Sequence, residues 1–346
     1  MTATLAAAAT LAAAAALAAP VTLPLGKALN AGLRRAMEDD AKVVLLGEDI
    51  GKLGGVFRIT DGLQKDFGPT RVIDTPLAES GIVGTAVGLA FRGYRPVVEI
   101  QFDGFIYPAF DQIVSQVAKL HYRTGGSVKM PITIRVPYGG GIGAVEHHSE
   151  SPEGYFAQTA GLRVVSCSNA ADANVMLRQA IASDDPVLFF EPKRRYWQKG
   201  EVDVTASIDG AYPLHKARVV RAGTDATVVA YGPLVATALQ AADVAAGEGR
   251  SLEVIDLRSL SPLDMDTIAA SVRKTGRLVV THEAATFMGI GAEIAARVQD
   301  QCFYSLEAPV QRVGGFTIPY PPAKLEEYFL PDADRILDAV DRSCRV

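Results

Sequence analysis

From about residue 40 onward, short apolar runs alternate with stretches in which apolar residues recur every three or four positions. Val43–Gly47, Arg71–Asp74, Arg95–Phe102, Leu162–Cys167 and Val187–Glu191 have the length of strands, and several are rich in β-branched residues. Pro131–Pro137 alternates strictly, with Ile132, Ile134 and Val136 set against Thr133 and Arg135. Between these runs, Phe110, Ile113, Val114, Val117 and Leu120 fall on one helical face. They predict a helix over Pro108–Tyr122, with proline in the first turn where its missing N–H costs nothing. Ala170–Ser183 predicts another. Strands that alternate with helices imply a mostly parallel sheet covered on both faces.

Residues 198–216 break the rhythm, being charged and turn-rich with little period. Beyond them Ala226–Tyr231, Leu252–Leu257 and Arg277–Thr281 are again strand-like, separated by helical stretches. The expected organisation is an α/β domain over 21–200, a linker at 201–215 and a second, smaller α/β domain over 216–346. Residues 2–19 are almost pure Ala, Leu and Thr and end at Pro20. They resemble the apolar part of a signal peptide but lack the preceding positive charge, and they are short for a membrane span. The expectation is a disordered or loosely helical extension over residues 1–20.

Composition narrows the function. With 49% hydrophobic and 21% charged residues, the 346-residue chain has apolar surface for a large core and for subunit contacts. A net charge of −5 argues against a general nucleic-acid binder. Cys167, Cys302 and Cys344 are far apart and have no CxxC or Cys/His pairing. They read as reduced thiols of a cytosolic protein.

Three segments could carry chemistry. In the first, Asp74-Thr75-Pro76-Leu77-Ala78-Glu79-Ser80-Gly81, a strand ends and a helix begins near Glu79. An acidic residue in a first turn needs no function, because the helix dipole favours it by ~0.3–1 kcal/mol. The helix that follows is less ordinary. Gly81, Gly84 and Gly88 recur at helical spacing, and each costs ~0.8–1 kcal/mol relative to alanine, so a ligand or partner packed closely on them would explain the pattern. The second segment, Glu99–Gln112, runs from a strand end into a loop containing Phe102, Phe105 and Tyr107, the position at which open α/β sheets bind ligands. These aromatics could equally be core. The third, Gly139–Pro152, is a glycine loop that delivers His147 and His148. Adjacent histidines point apart and make a poor metal pair; an acid–base or hydrogen-bonding role suits a loop histidine better, with a surface pair as the plain alternative. Glu191-Pro192-Lys193-Arg194-Arg195 is a basic cluster expected to be solvated or at an interface. His282-Glu283 before Gly289 and Gly291 lacks a full dinucleotide fingerprint, and a tight strand-to-helix turn accounts for it.

Gly47-Glu48-Asp49, the Gly54–Arg58 run GGVFR, TPLAESGIVG, EIQFDGF, YPAFDQIVSQ, HHSESPE and FFEPKRRY occur in this order. With them the chain resembles, from about Leu23 to its C-terminus, the beta subunits of thiamine-diphosphate-dependent 2-oxoacid dehydrogenases. GGVFR and EIQF look closer to the branched-chain type than to the pyruvate type. The resemblance implies a pyrimidine-binding domain followed by a transketolase-type C-terminal domain. Glu79 matches the glutamate that hydrogen-bonds the aminopyrimidine ring, a role for which it should be buried. Leu77 and Gln101 match residues of the same pocket. Phe105 stands where branched-chain relatives carry tyrosine, which keeps an aromatic wall and loses a hydroxyl. His148 matches the histidine that assists transfer of the acyl group to the lipoyl arm of an acyltransferase.

Thiamine enzymes bind Mg2+ and the diphosphate through a GDG motif. None occurs here; Thr60-Asp61-Gly62 and Ile208-Asp209-Gly210 approach it without the required context. The resemblance therefore implies that an alpha subunit supplies the metal and diphosphate half, in an assembly of two alpha and two beta chains. The competing possibilities are a pyruvate or acetoin dehydrogenase beta subunit, a non-catalytic assembly subunit docked on the acyltransferase core, and a self-contained nucleotide-binding oxidoreductase.

Overall fold

The structure is a computed structural model that describes residues 20–345; the Ala-rich residues 1–19 lie outside it. The strands are β1 (Val21–Pro24), β2 (Val43–Gly47), β3 (Val72–Asp74), β4 (Arg95–Glu99), β5 (Thr133–Tyr138), β6 (Arg163–Ser166) and β7 (Val187–Pro192) in the first half. They continue with β8 (Lys199–Val202), β9 (Arg218–Arg221), β10 (Ala226–Ala230), β11 (Leu252–Asp256), β12 (Ser259–Ser261), β13 (Leu278–Ala285) and β14 (Gln311–Gly315).

Seven strands form the larger sheet in the order β12-β6-β7-β5-β4-β2-β3. All its pairings are parallel except that of β12, which the second half of the chain lends to the edge. Because strand residues alternate between faces, Val43, Leu45 and Val97 pack with the helices Leu25–Asp39 and Ala170–Ala182 on one side. Val44, Leu46 and Val98 pack with Val83, Ala86 and Ile113 on the other. Each such side chain contributes ~1.5–3 kcal/mol by burial. The second face continues into the five-stranded sheet, order β14-β13-β10-β11-β9, through Val229, Ile255 and Val280.

Three local features differ from the sequence pattern. The strict alternation of Pro131–Pro137 would ordinarily mark one wet face, yet every residue of β5 is buried. Arg135 sits fully buried in mid-sheet because Glu99 on β4 and Glu191 on β7 flank it, at 2.6 and 2.7 Å. The helix expected over Pro108–Tyr122 is a 3₁₀ segment (Asp103–Ala109), a π-turn (Gln112–Val117) and a short α-helix (Leu120–Arg123). Ala118 N–H donates to the Ile113 carbonyl, five residues back, so the turn is wide while Ile113 and Val117 remain buried. Finally, the polar region that begins at residue 198 opens with a strand: β8 pairs antiparallel with β1 and turns Val202 inward.

Candidate functional site

The parallel strands β2, β3, β4 and β5 end together, and the three chemical segments follow their carboxyl ends. After β3 the chain turns through Pro76 and starts the Glu79–Phe91 helix with Glu79 as its first residue, 7% exposed. Glu48, directly after β2, is equally buried, and its Oε1 has no hydrogen-bond partner. Burial pushes the Glu48 carboxyl up from its ordinary range, and the neighbouring charges of Glu79 and Asp49 push the same way. The mouth of the sheet thus holds two buried carboxyl groups, one with an unmet acceptor.

The segment after β4 forms the next wall. Phe102 stacks on the His148 ring at 3.9 Å and 18°, and Phe105 meets it edge-on at 5.1 Å. Phe57, from the GGVFR run, packs edge-on against Phe102 at 5.3 Å. Gln101, directly before Phe102 in the chain, is half-buried. The 3₁₀ segment of Asp103–Ala109 packs against the Glu79–Phe91 helix. Glu79, Gln101 and Phe105 thus all follow the carboxyl ends of neighbouring parallel strands, and Phe105 packs on the His148 ring. Leu77, on the turn before Glu79, is 77% exposed.

His148 is half-buried in a single 3₁₀ turn, Glu146–His148. Its Nδ1 lies 3.0 Å from the His147 carbonyl, which assigns the ring proton to Nδ1 and leaves Nε2 as an acceptor. Burial lowers its pKa from the ordinary value, partly offset by the hydrogen bond to the His147 carbonyl, while the charges of His147 and Lys193 add to the lowering and favour the neutral imidazole. His147 is exposed and lies edge-on to His148 at 4.3 Å.

The histidine loop is gripped from the second half of the chain. Gly139, Gly141 and Gly143 have positive φ, which bares backbone N–H groups along the loop. Gly140 N–H donates to Glu283, while Gly141 and Gly143 N–H groups donate to the two oxygens of Glu326 at 2.7 and 3.0 Å. The Tyr320 hydroxyl also donates to Glu326, at 2.6 Å. Tyr231 donates to the fully buried Glu153 at 2.6 Å, and burial raises the Glu153 pKa to about 7.

Several expectations change at this point. The basic cluster at 193–195 is not a solvated patch. Lys193 is fully buried and ion-paired with Asp103, Arg194 pairs with Glu283 at 3.2 Å, and Arg195 donates to the Pro233 carbonyl at 2.8 Å. His282 is a buried core residue that accepts from Gly291 N–H at 3.2 Å, as the tight-turn explanation of those glycines requires. Asp103 and Glu326 were not singled out in the sequence, and Lys193 and Glu283 were noted there without a role at this loop; a charged Asp103 inside an otherwise apolar-aromatic run was the visible signal.

Residues 21–198 match the pyrimidine-binding domain of transketolase, and residues 215–336 match the transketolase C-terminal domain. The chain is 63% identical over 322 residues to the pyruvate dehydrogenase E1 component subunit beta of Leifsonia xyli, covering 93% of this chain and 95% of that one. It is 56% identical over 325 residues to the 3-methyl-2-oxobutanoate dehydrogenase subunit beta of Mycobacterium tuberculosis, covering 94% and 92%. A solved structure described as a split-gene transketolase, an inactive beta4 tetramer, superposes with a TM-score of 0.75 over 93% of this chain and 98% of that one. At 24% identity it speaks for the fold alone. A transketolase-like pair of α/β domains with a buried carboxylate and a loop histidine at one sheet mouth, and relatives this similar over nearly the whole chain, lead to one assignment: the chain belongs to the beta-subunit family of thiamine-diphosphate-dependent 2-oxoacid dehydrogenases.

Proposed function

We propose that this chain supplies the pyrimidine half of a thiamine diphosphate site in an assembly of two alpha and two beta chains. That assembly decarboxylates branched-chain 2-oxoacids and passes the acyl group to the lipoyl arm of an acyltransferase core. The observation that carries the proposal is that buried Glu79 and an aromatic-walled His148 both follow the carboxyl ends of one parallel sheet. The residues suit the cofactor: a polar heterocycle entering this mouth finds a carboxyl group at Glu79 and an unmet acceptor at Glu48. Glu79 would hold the pyrimidine ring nitrogen, with Gln101, Phe105 and Leu77 as walls. When bound, the cofactor supplies the electron sink for decarboxylation.

The exposure of Leu77 and of the helix face after it supports a shared site, since a second polypeptide is needed to close that side. With no GDG motif in the sequence, Mg2+ and the diphosphate fall to the alpha subunit. We take residues 21–200 as the pyrimidine-binding domain, 201–215 as the linker and 216–346 as the C-terminal domain, and we place the protein in the cytoplasm on the strength of its three free cysteines.

His148 would serve the acyl transfer. A neutral imidazole with Nε2 free can take or return a proton at the acceptor sulfur, and the ring stacked on Phe102 keeps it beside the reacting group. The Phe57, Phe102 and Phe105 walls are apolar, and each additional methylene of an acyl chain buried there gains ~0.8 kcal/mol, which favours a branched acid. The pyruvate alternative draws its support from the 63% identical relative.

The test is co-expression with the alpha subunit and measurement of decarboxylation with thiamine diphosphate and Mg2+, using 3-methyl-2-oxobutanoate and pyruvate, with the chain alone as control. Activity only in the mixture, with preference for the branched acid, is expected. Preference for pyruvate keeps the shared site and overturns the substrate. An inactive but well-formed tetramer returns the chain to a non-catalytic assembly role.

A further inference from the structure

Beside His148 lies a fully buried ion pair that the chemistry above leaves without a task. Asp103 and Lys193 are both 0% exposed and bonded to each other. Such a pair is weak evidence for stability, because desolvation offsets much of the attraction. Its connections show what else it can do. The second Asp103 oxygen, Oδ2, accepts the Glu150 backbone N–H at 2.7 Å, and the Glu150 carbonyl accepts Gly139 N–H at 2.8 Å. The strand of loop two residues past His148 is thereby tied to the turn after β4 and to the end of β5.

The residue before His148 is seated on the same turn. A Cβ added to Gly104 would collide with the His147 carbonyl oxygen, the atom that His148 Nδ1 faces at 3.0 Å. Phe102, the residue before Asp103, forms the stacking wall for the imidazole, and the Lys193 ammonium lies 5.9 Å from the centroid of that Phe102 ring. One turn thus carries the wall, the seat and the anchor of the histidine.

We propose that Asp103, charge-compensated by Lys193, is a positioning residue for His148: it fixes the loop so that the imidazole stays stacked on Phe102 with Nδ1 turned to the His147 carbonyl. The inference rests on the assignment of His148 to acyl transfer. Burial raises the Asp103 pKa to about 6 and lowers that of Lys193, so the pair's charge is retained only as long as both partners are present.

The experiment uses the complete alpha–beta assembly. Either single substitution strands a buried charge, so the primary variant is the double change Asp103→Leu with Lys193→Leu, which removes both charges with apolar volume in their place. Reductive acylation of a free lipoyl domain should fall ~10–100-fold, well beyond any change in decarboxylation with an artificial electron acceptor, and kcat should fall more than KM. The pH profile of acylation should also move, because burial and the Lys193 charge lower the pKa of the imidazole while its bond to the His147 carbonyl raises it, and the double change disturbs all three.

Asp103→Asn with Lys193→Met keeps an acceptor for the Glu150 amide and should recover most of the rate. Gly104→Ala displaces the His147 carbonyl without touching a charge, and should reproduce the loss even if the double-leucine variant does not fold. Wild-type acylation and pH profile in both the double-leucine and Gly104→Ala assemblies would overturn the proposal while leaving the decarboxylase standing. Failure of the function itself looks different: the wild-type assembly would lack thiamine-dependent decarboxylation, or His148→Ala would acylate at the wild-type rate, and the positioning role would fall with it.

Discussion

Gly88 separates what the helix after Glu79 gains alone from what it needs in an assembly. Ala78, Gly81, Thr85 and Gly88 form one exposed face of the Glu79–Phe91 helix. At Gly88 an added Cβ meets nothing within 4 Å, and the residue lies inside the helix at negative φ. For the chain alone, Gly88→Ala should therefore stabilise by ~0.8–1 kcal/mol, through helix propensity and a less flexible unfolded chain. Thermal unfolding without the alpha subunit should show a rise of about 2 °C.

The assembly should respond in the opposite sense. If a partner packs on this face, Gly88→Leu drives a side chain into a closely packed interface. Overpacking of ~1–3 kcal/mol weakens association by roughly 5–150-fold, since ~1.4 kcal/mol is a factor of ten. Sedimentation of alpha–beta mixtures over a concentration series measures this. A Gly88→Leu chain that is stable alone and assembles with wild-type affinity would refute the argument that the glycines serve a subunit contact.

Three further outcomes are expected. Glu79→Gln should lower turnover by at least ~10²-fold with the assembly intact by sedimentation, and full activity would remove the pyrimidine assignment. Arg135→Met should destabilise by ~3–5 kcal/mol in denaturant unfolding, because it leaves Glu99 and Glu191 buried without their common cation; unchanged stability would show that water reaches them. For His282, burial lowers the pKa to about 4 from the ordinary 6.5, so between these values the folded chain binds fewer protons than the unfolded one and stability falls as pH falls. The shift corresponds to ~3 kcal/mol, so His282→Gln should gain on the wild type by about that much between pH 7 and pH 4, and parallel stability curves would contradict it.

The apolar runs located the strands because a parallel sheet buries both faces of each strand, leaving short continuous hydrophobic segments between turns. That same burial hid Arg135: an alternating Thr and Arg pattern on β5 looks half-solvated unless the carboxylates of β4 and β7 are known to flank it, and their pairing spans 36 and 56 residues of sequence. Pro108–Tyr122 illustrates a second limit. Its apolar spacing was helical, but the π-turn depends on how the backbone accommodates the mouth of the sheet. The placement of Glu79 and His148 beyond strand ends was legible because each lies in a local motif. Asp103 with Lys193 was not, because 90 residues separate two charges that only the fold brings together.

The structure also bears on what the second half of the chain does. A docking domain would need no contact with the histidine loop, yet Glu283 and Glu326 together take three of its glycine N–H groups. Arg194 and Tyr231 tie the same two halves through Glu283 and Glu153. Hydrogen bonds from backbone N–H to a carboxylate are charge-assisted and short, and here they hold a segment whose glycines would otherwise leave it many conformations. Asp103 fixes the loop beyond His148, and Glu326 fixes it before. The histidine is therefore set from both sides, once from the sheet that carries Glu79 and once from the domain that follows it. For the acyl-transfer role proposed for His148, a loop held in this way would present the imidazole without a further cost of ordering the chain, and it makes the geometry of the loop a property of both halves together.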